Sequence, residues 1–122
     1  FPRIDDRRTA LASRYVYAPT LTEALTGGNG ASGTFNCLLR IDTETGDVTR
    51  HDFGNRIAGE AVFIPRGESE ISGWLATYLY DPETKSSEFV LLDAEDIEDG
   101  PALRLRLPQR VPQGLHGAWI PA

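Results

Sequence analysis

The sequence predicts an all-β protein, on three observations. Apolar residues recur mostly with the two-residue period of strands, no segment carries three turns of helical periodicity, and compact turn signals separate the apolar runs. In chain order, residues 14–18 (RYVYA) form a plausible first strand and residues 34–41 (TFNCLLRI) a second. Residues 47–53 (DVTRHDF) alternate weakly, and residues 61–64 (AVFI) make a short apolar run that Pro65 stops. Residues 74–80 (WLATYLY) are aromatic and β-prone, and residues 88–92 (EFVLL) follow. Residues 103–107 (LRLRL) alternate strictly, with three leucines on one face and two arginines on the other. Residues 22–25 and 94–97 are each long enough for about one helical turn. The expected count is roughly seven or eight short strands.

The turns contain a repeat. Asp42-Thr43-Glu44-Thr45-Gly46 joins two strands, and Asp81-Pro82-Glu83-Thr84-Lys85 joins two more about 40 residues later. In each, the Asp can hydrogen-bond the backbone of its own turn. A period of that size built from antiparallel strands is the spacing of propeller blades.

Composition narrows function. The 122 residues carry 12 Lys+Arg against 18 Asp+Glu, a net charge of −6. A net acidic chain lacks the basic face that releases counterions from a phosphate backbone, so nucleic acid is not an expected partner. No apolar run approaches the roughly 20 residues that span a bilayer. A single cysteine, Cys37, excludes an internal disulfide framework and a multi-cysteine zinc site, and it fits a reducing, cytoplasmic compartment.

Several motifs reduce to plain readings. Gly28-Asn29-Gly30-Ala31-Ser32-Gly33 matches the dinucleotide-binding pattern in letters, but a strand follows it where a helix is required, so it reads as a surface loop. The acidic run Asp93, Glu95, Asp96, Glu98 and Asp99 lacks the Gly and Glu spacing of a calcium loop and reads as a solvated turn. Cys37 has no cationic neighbour in an apolar strand and reads as a small buried hydrophobe. His51, between Arg50 and Asp52, reads as a surface residue.

Two residues stand apart. His116 lies between Gly114 and Gly117, where missing side chains let another backbone or a ligand approach one imidazole. Glu60 is a carboxylate at the mouth of an apolar run, where burial requires a donor. Such a group can orient a ligating histidine by accepting its free N–H, or stand exposed at a strand end. One histidine makes no metal site, and a structural role for His116 stays open at this level.

Taken in order, the segments resemble the carotenoid cleavage oxygenase family, which includes bacterial lignostilbene dioxygenases and the retinoid isomerase of the eye. Phe1-Pro2-Arg3-Ile4-Asp5 is similar to the family's F-P-R stretch, and Arg14-Tyr15-Val16-Tyr17 to the strand after it. His51-Asp52-Phe53-Gly54 and Gly59-Glu60-Ala61-Val62-Phe63-Ile64-Pro65-Arg66 resemble the H-D-F-G and G-E-P-V-F-V-P-R segments. Gly73-Trp74-Leu75, Tyr80-Asp81 and Leu91-Leu92-Asp93-Ala94 continue the match. It closes on residues 107–117 (LPQRVPQGLHG), similar to L-P-x-R-V-P-x-G-F-H-G. Leu115 stands for the usual Phe and Ala61 for the usual Pro; neither substitution removes a ligand.

The resemblance implies a seven-bladed β-propeller of which residues 1–122 are the C-terminal blades. It implies a non-haem Fe(II) held by four histidines: His116 would be the last of them, the three others would lie outside these residues, and Glu60 would be a carboxylate holding a ligating histidine. His51 matches a segment that supplies no ligand. The implied reaction is oxidative cleavage of a carbon–carbon double bond in a carotenoid, apocarotenoid or stilbene by O2, giving two carbonyl products, with isomerisation as a variant. The expected partners are an apolar polyene or stilbene, O2 and the rest of the propeller, and residues 1–122 alone are expected to be inactive. The alternative is a free-standing small β-domain that binds without catalysis, or a propeller piece whose His116 is structural.

Overall fold

A computed structural model describes residues 1–21 and 34–122; the expected turn at residues 22–25 and the glycine-rich loop at residues 28–33 lie outside the described residues. Eight strands occur among the described residues: β1 Tyr15–Thr20, β2 Cys37–Asp42, β3 Val48–Asp52, β4 Ile57–Ala58, β5 Val62–Pro65, β6 Gly73–Asp81, β7 Ser86–Asp93 and β8 Pro101–Arg106. The helices among them are two single 3-10 turns, Asp6–Arg8 and Ile97–Asp99. No helix among the described residues is long and apolar enough to cross a membrane.

The strands form two antiparallel sheets. The first runs β1-β2-β3, and Arg3 extends it by exchanging both backbone hydrogen bonds with Tyr17, each 2.7 Å. In the second, β4 and β5 lie end to end along one side of β6, followed by β7 and β8. The bridge between Phe35 and Ala58 ties the sheets together. Further struts cross between them: the Glu70 carboxylate accepts the Arg14 and Tyr15 N–H groups at 2.6 and 2.9 Å, Arg7 donates to the Gly67 carbonyl at 2.9 Å, and Arg40 donates to the carbonyls of Ala94 and Glu95.

Between the sheets lies one core, in which Tyr17, Leu38 and Phe53 meet Ala58, Ala61, Phe63, Leu75, Leu79, Val90 and Leu92. Tyr17 stacks on Phe63 with centroids 5.7 Å apart. Cys37 is buried as expected, and burial pushes its thiol pKa up, which keeps it in the inert thiol form. Gly73 is dictated by this packing, because a Cβ there would lie 2.4 Å from Phe63 Cζ and 2.6 Å from the Ile64 carbonyl oxygen. Gly73→Ala in the whole protein is therefore expected to lose about 1–3 kcal/mol, read as a lower urea midpoint at unchanged slope.

The two D-x-E-T turns share their geometry. Asp42 Oδ1 accepts from Glu44 and Thr45 N–H at 3.0 and 3.3 Å; Asp81 Oδ1 accepts from Glu83 and Thr84 N–H at 2.9 and 3.2 Å. Each ends in a positive φ, +81° at Gly46 and +54° at Lys85. They are nevertheless not equivalent in the architecture. The first joins β2 to the outer strand β3, whereas the second joins the two middle strands β6 and β7. The repeat is one turn chemistry used at two different places in the two sheets.

β8 also differs from a half-buried strand. Its register places Leu103 opposite Leu91 and Leu105 opposite Phe89, on the face turned away from the core, and these leucines are 39% and 49% exposed. Arg104 and Arg106 face the first sheet. The second sheet is thus apolar on both faces, with Tyr78, Phe89, Leu103 and Leu105 on the uncovered one.

His51 is a correction to the sequence reading. Its ring is half-buried, meets Phe53 edge-on at 4.8 Å and presses on Gly100, where a Cβ would sit 3.0 Å from His51 Cε1. Asp52 and Gly54, with φ +68°, make the local turn while Phe53 enters the core, so H-D-F-G is a folding motif. Burial first, then Arg104, depress the imidazole pKa below its ordinary 6.5, against a smaller opposing effect of Asp52. A folded-state pKa below the unfolded one means the unfolded chain binds the proton first, so stability is lost as pH falls through the ordinary value toward the folded one. The Tm of the whole protein is expected to fall from pH 7 toward pH 5 more steeply than that of His51→Gln, in paired melts.

Candidate metal centre

Glu60 sits where the inner strand breaks. Ala58 pairs with Leu79 and Val62 with Ala76, so residues 59–61 oppose only Tyr78 and Thr77. That is a β-bulge of one extra residue, and it resets the alternation so that Ala58, Ala61 and Phe63 all enter the core. Gly59 keeps the ladder attached, donating to the Tyr78 carbonyl at 2.9 Å and accepting from Thr77 Oγ1 at 3.1 Å.

The segment after β8 crosses the uncovered face of the second sheet without regular structure. It is pinned where Leu107 N–H meets the Ser87 carbonyl, where Val111 N–H meets Ser87 Oγ, and where the Arg110 guanidinium lies over Tyr80, at 2.9, 2.9 and 4.9 Å. It ends over the bulge. A Cβ on Gly117 would be 3.0 Å from Val62 Cγ2, so this glycine permits the close approach, while around Gly114 there is open space. Only one of the two glycines beside His116 is explained by crowding.

At that crossing three groups meet one carboxylate. Glu60 Oε1 lies 3.3 Å from His116 Nδ1, Oε2 accepts the Gly117 N–H at 3.1 Å, and Oε2 is 3.7 Å from Arg3 Nη1. The Glu60 side chain is 5% exposed and that of His116 is 63% exposed. A carboxylate is an acceptor, so the contact assigns a proton to Nδ1; of the two neutral tautomers it selects the one with the lone pair on Nε2. No described residue hydrogen-bonds Nε2. Phe1 meets the same ring edge-on at 4.9 Å. Beside it runs a groove of about 670 Å³ lined by Phe1, Val62, Tyr78, Phe89 and Trp119 among others.

The arrangement has the form that holds a metal-ligating histidine from behind: an imidazole whose tautomer is set by a buried carboxylate. Among the described residues no group of three His, Cys, Asp or Glu could hold an ion, so these residues do not form a complete cage. His51 lies in the contact between the sheets, away from this crossing. The acidic turn is occupied otherwise, with Asp93 capping Glu95 N–H at 3.0 Å and pairing with Arg66 at 3.2 Å. Sequence reasoning missed Arg3, Phe1 and the Gly117 N–H. No local pattern links positions 3, 60 and 117; only the bulge and the crossing segment join them.

The family model described as retinal pigment epithelial membrane protein matches residues 1–121. Apocarotenoid-15,15'-oxygenase of Synechocystis is 34% identical over 122 residues, which span 98% of this chain and 24% of that protein. Two solved structures superpose closely. Cobalt-substituted Synechocystis apocarotenoid oxygenase has a TM-score of 0.86 at 31% identity, covering 100% of this chain and 25% of that one. Pseudomonas brassicacearum lignostilbene dioxygenase has a TM-score of 0.87 at 29% identity, covering 99% of this chain and 27% of that one. The chain spans about a quarter of the length of the curated relatives it matches.

Proposed function

The chain belongs to the retinal pigment epithelial membrane protein family, the carotenoid cleavage oxygenases, and from that premise we propose that the whole protein cleaves a carbon–carbon double bond of a carotenoid, apocarotenoid or stilbene with O2, giving two carbonyl products. His116 is one ligand of a non-haem Fe(II), and three further histidines come from parts of the propeller outside these residues. The observation that carries the reading is the His116 imidazole held through Nδ1 by the buried Glu60 carboxylate. The free-standing binding module gives way to it, because the chain matches oxygenases along nearly its whole length.

The residues of this chain fit the ion. Nε2 is the free donor atom, and Glu60 keeps the proton on Nδ1 so that this atom stays available. The Gly117 N–H fixes the carboxylate from the backbone adjoining the ligand, which ties ring orientation to main-chain position. Bound Fe(II) would supply the O2 chemistry that no side chain here can supply.

The test is to incubate the iron-loaded whole protein with O2 and one carotenoid, one apocarotenoid and one stilbene, and to weigh the products. Two carbonyl fragments from at least one substrate are expected. An isomer of unchanged mass, or no product from any of the three, overturns cleavage.

A further inference from the structure

We propose that Arg3 is a positioning residue for the metal centre, acting through Glu60. This inference rests on His116 being a ligand. Arg3 is held on both sides. Its backbone exchanges two 2.7 Å hydrogen bonds with Tyr17 in β1, and its guanidinium lies between Asp6 Oδ2 at 3.3 Å and Glu60 Oε2 at 3.7 Å. The side chain is 19% exposed, and its Nε is buried without a hydrogen-bond partner. Leaving a buried guanidinium nitrogen unpaired is unfavourable. The side chain is held there by its hydrogen bond to Asp6 and its ion pair with Glu60.

The consequence falls on His116. Glu60 Oε2 has two partners, the Gly117 N–H and Arg3, while Oε1 faces only Nδ1. With Oε2 anchored twice, the carboxylate has one orientation in which Oε1 can meet the imidazole. Without the guanidinium, Oε2 is held by the Gly117 N–H alone, and the carboxylate turns more easily away from the imidazole. The stretch that extends the first sheet thereby contributes to a site whose carboxylate and imidazole belong to the second sheet and the crossing segment. Lysine does not replace this contact in full, because an ammonium lacks the planar fork that reaches a carboxylate oxygen while Asp6 holds its other arm.

The experiment uses the whole protein with Co(II) as probe, reading dissociation constant and visible absorption, with far-UV circular dichroism to check folding. Arg3→Gln is expected to weaken Co(II) binding about tenfold and to alter the Co(II) bands, the effect typical of losing a partner of a ligand's partner. Arg3→Lys is expected to recover most of this, within about threefold of wild type, with bands still displaced. In a Glu60→Gln background, Arg3→Gln is expected to add nothing. Wild-type affinity and bands in Arg3→Gln overturn the proposal; should that variant fail to fold, wild-type bands in Arg3→Lys overturn it. His116→Ala separates the two readings. If it also binds Co(II) normally, the metal assignment itself fails; if it loses Co(II) while Arg3→Gln keeps it, only the role of Arg3 fails.

Discussion

His116→Ala in the whole protein is expected to bring iron down to the level of a metal-free preparation, and turnover with it. On the proposed reading the imidazole supplies a donor atom to the ion, and nothing nearby would replace it. Among the described residues no group of three His, Cys, Asp or Glu could hold an ion instead, and Glu60 already serves His116 and Gly117. Glu60→Gln gives the graded control. An amide has a single acceptor oxygen, whereas the Nδ1 proton and the Gly117 N–H both need one. One of the two is left facing an NH2 group. Metal affinity is expected to fall about 10–100-fold, less than on loss of the ligand itself. Metal analysis and steady-state rates on the same preparations decide the matter: His116→Ala with full iron and full turnover ends the assignment.

The second large effect concerns solubility. Residues 1–122 produced alone are expected to aggregate, bind no iron stoichiometrically and show no activity. The second sheet is apolar on two faces but only one packs against the first sheet. On the other, Tyr78 is 50%, Leu103 39% and Leu105 49% exposed, and the crossing segment covers only part of it. β8 adds an outer edge with one ladder partner, the arrangement that recruits strands from other molecules. Light scattering after gel filtration is the measurement. A monodisperse monomer that melts cooperatively would show that this face needs no further sheet.

Much of this architecture is legible in the sequence because strands announce themselves through alternation and through the residues that end them. Every apolar run read as a strand is one, and the aspartates of both D-x-E-T turns cap their own backbones as their chemistry demands. The repeat does not mark equivalent positions, because a turn is specified by four or five residues, while its place in a sheet is specified by which strands pair. Two hairpins at different places in their sheets can share one local solution. Alternation places the leucines of β8 on one face, correctly, but does not say which face meets the core. His51 looks superficial in sequence because its partners, Gly100 and Arg104, are about 50 residues away. The site is half legible: an imidazole among glycines and a carboxylate before an apolar run are odd in isolation. The bulge that turns one toward the other depends on β6, which no window around Glu60 contains.

The meeting at Glu60 also fixes an order of events during synthesis. Arg3 and Glu60 leave the ribosome well before His116, which is 56 residues behind the carboxylate. All eight strands and Arg3 precede the imidazole in the chain. Capture of an ion through this ring would therefore come only after both sheets have been synthesised.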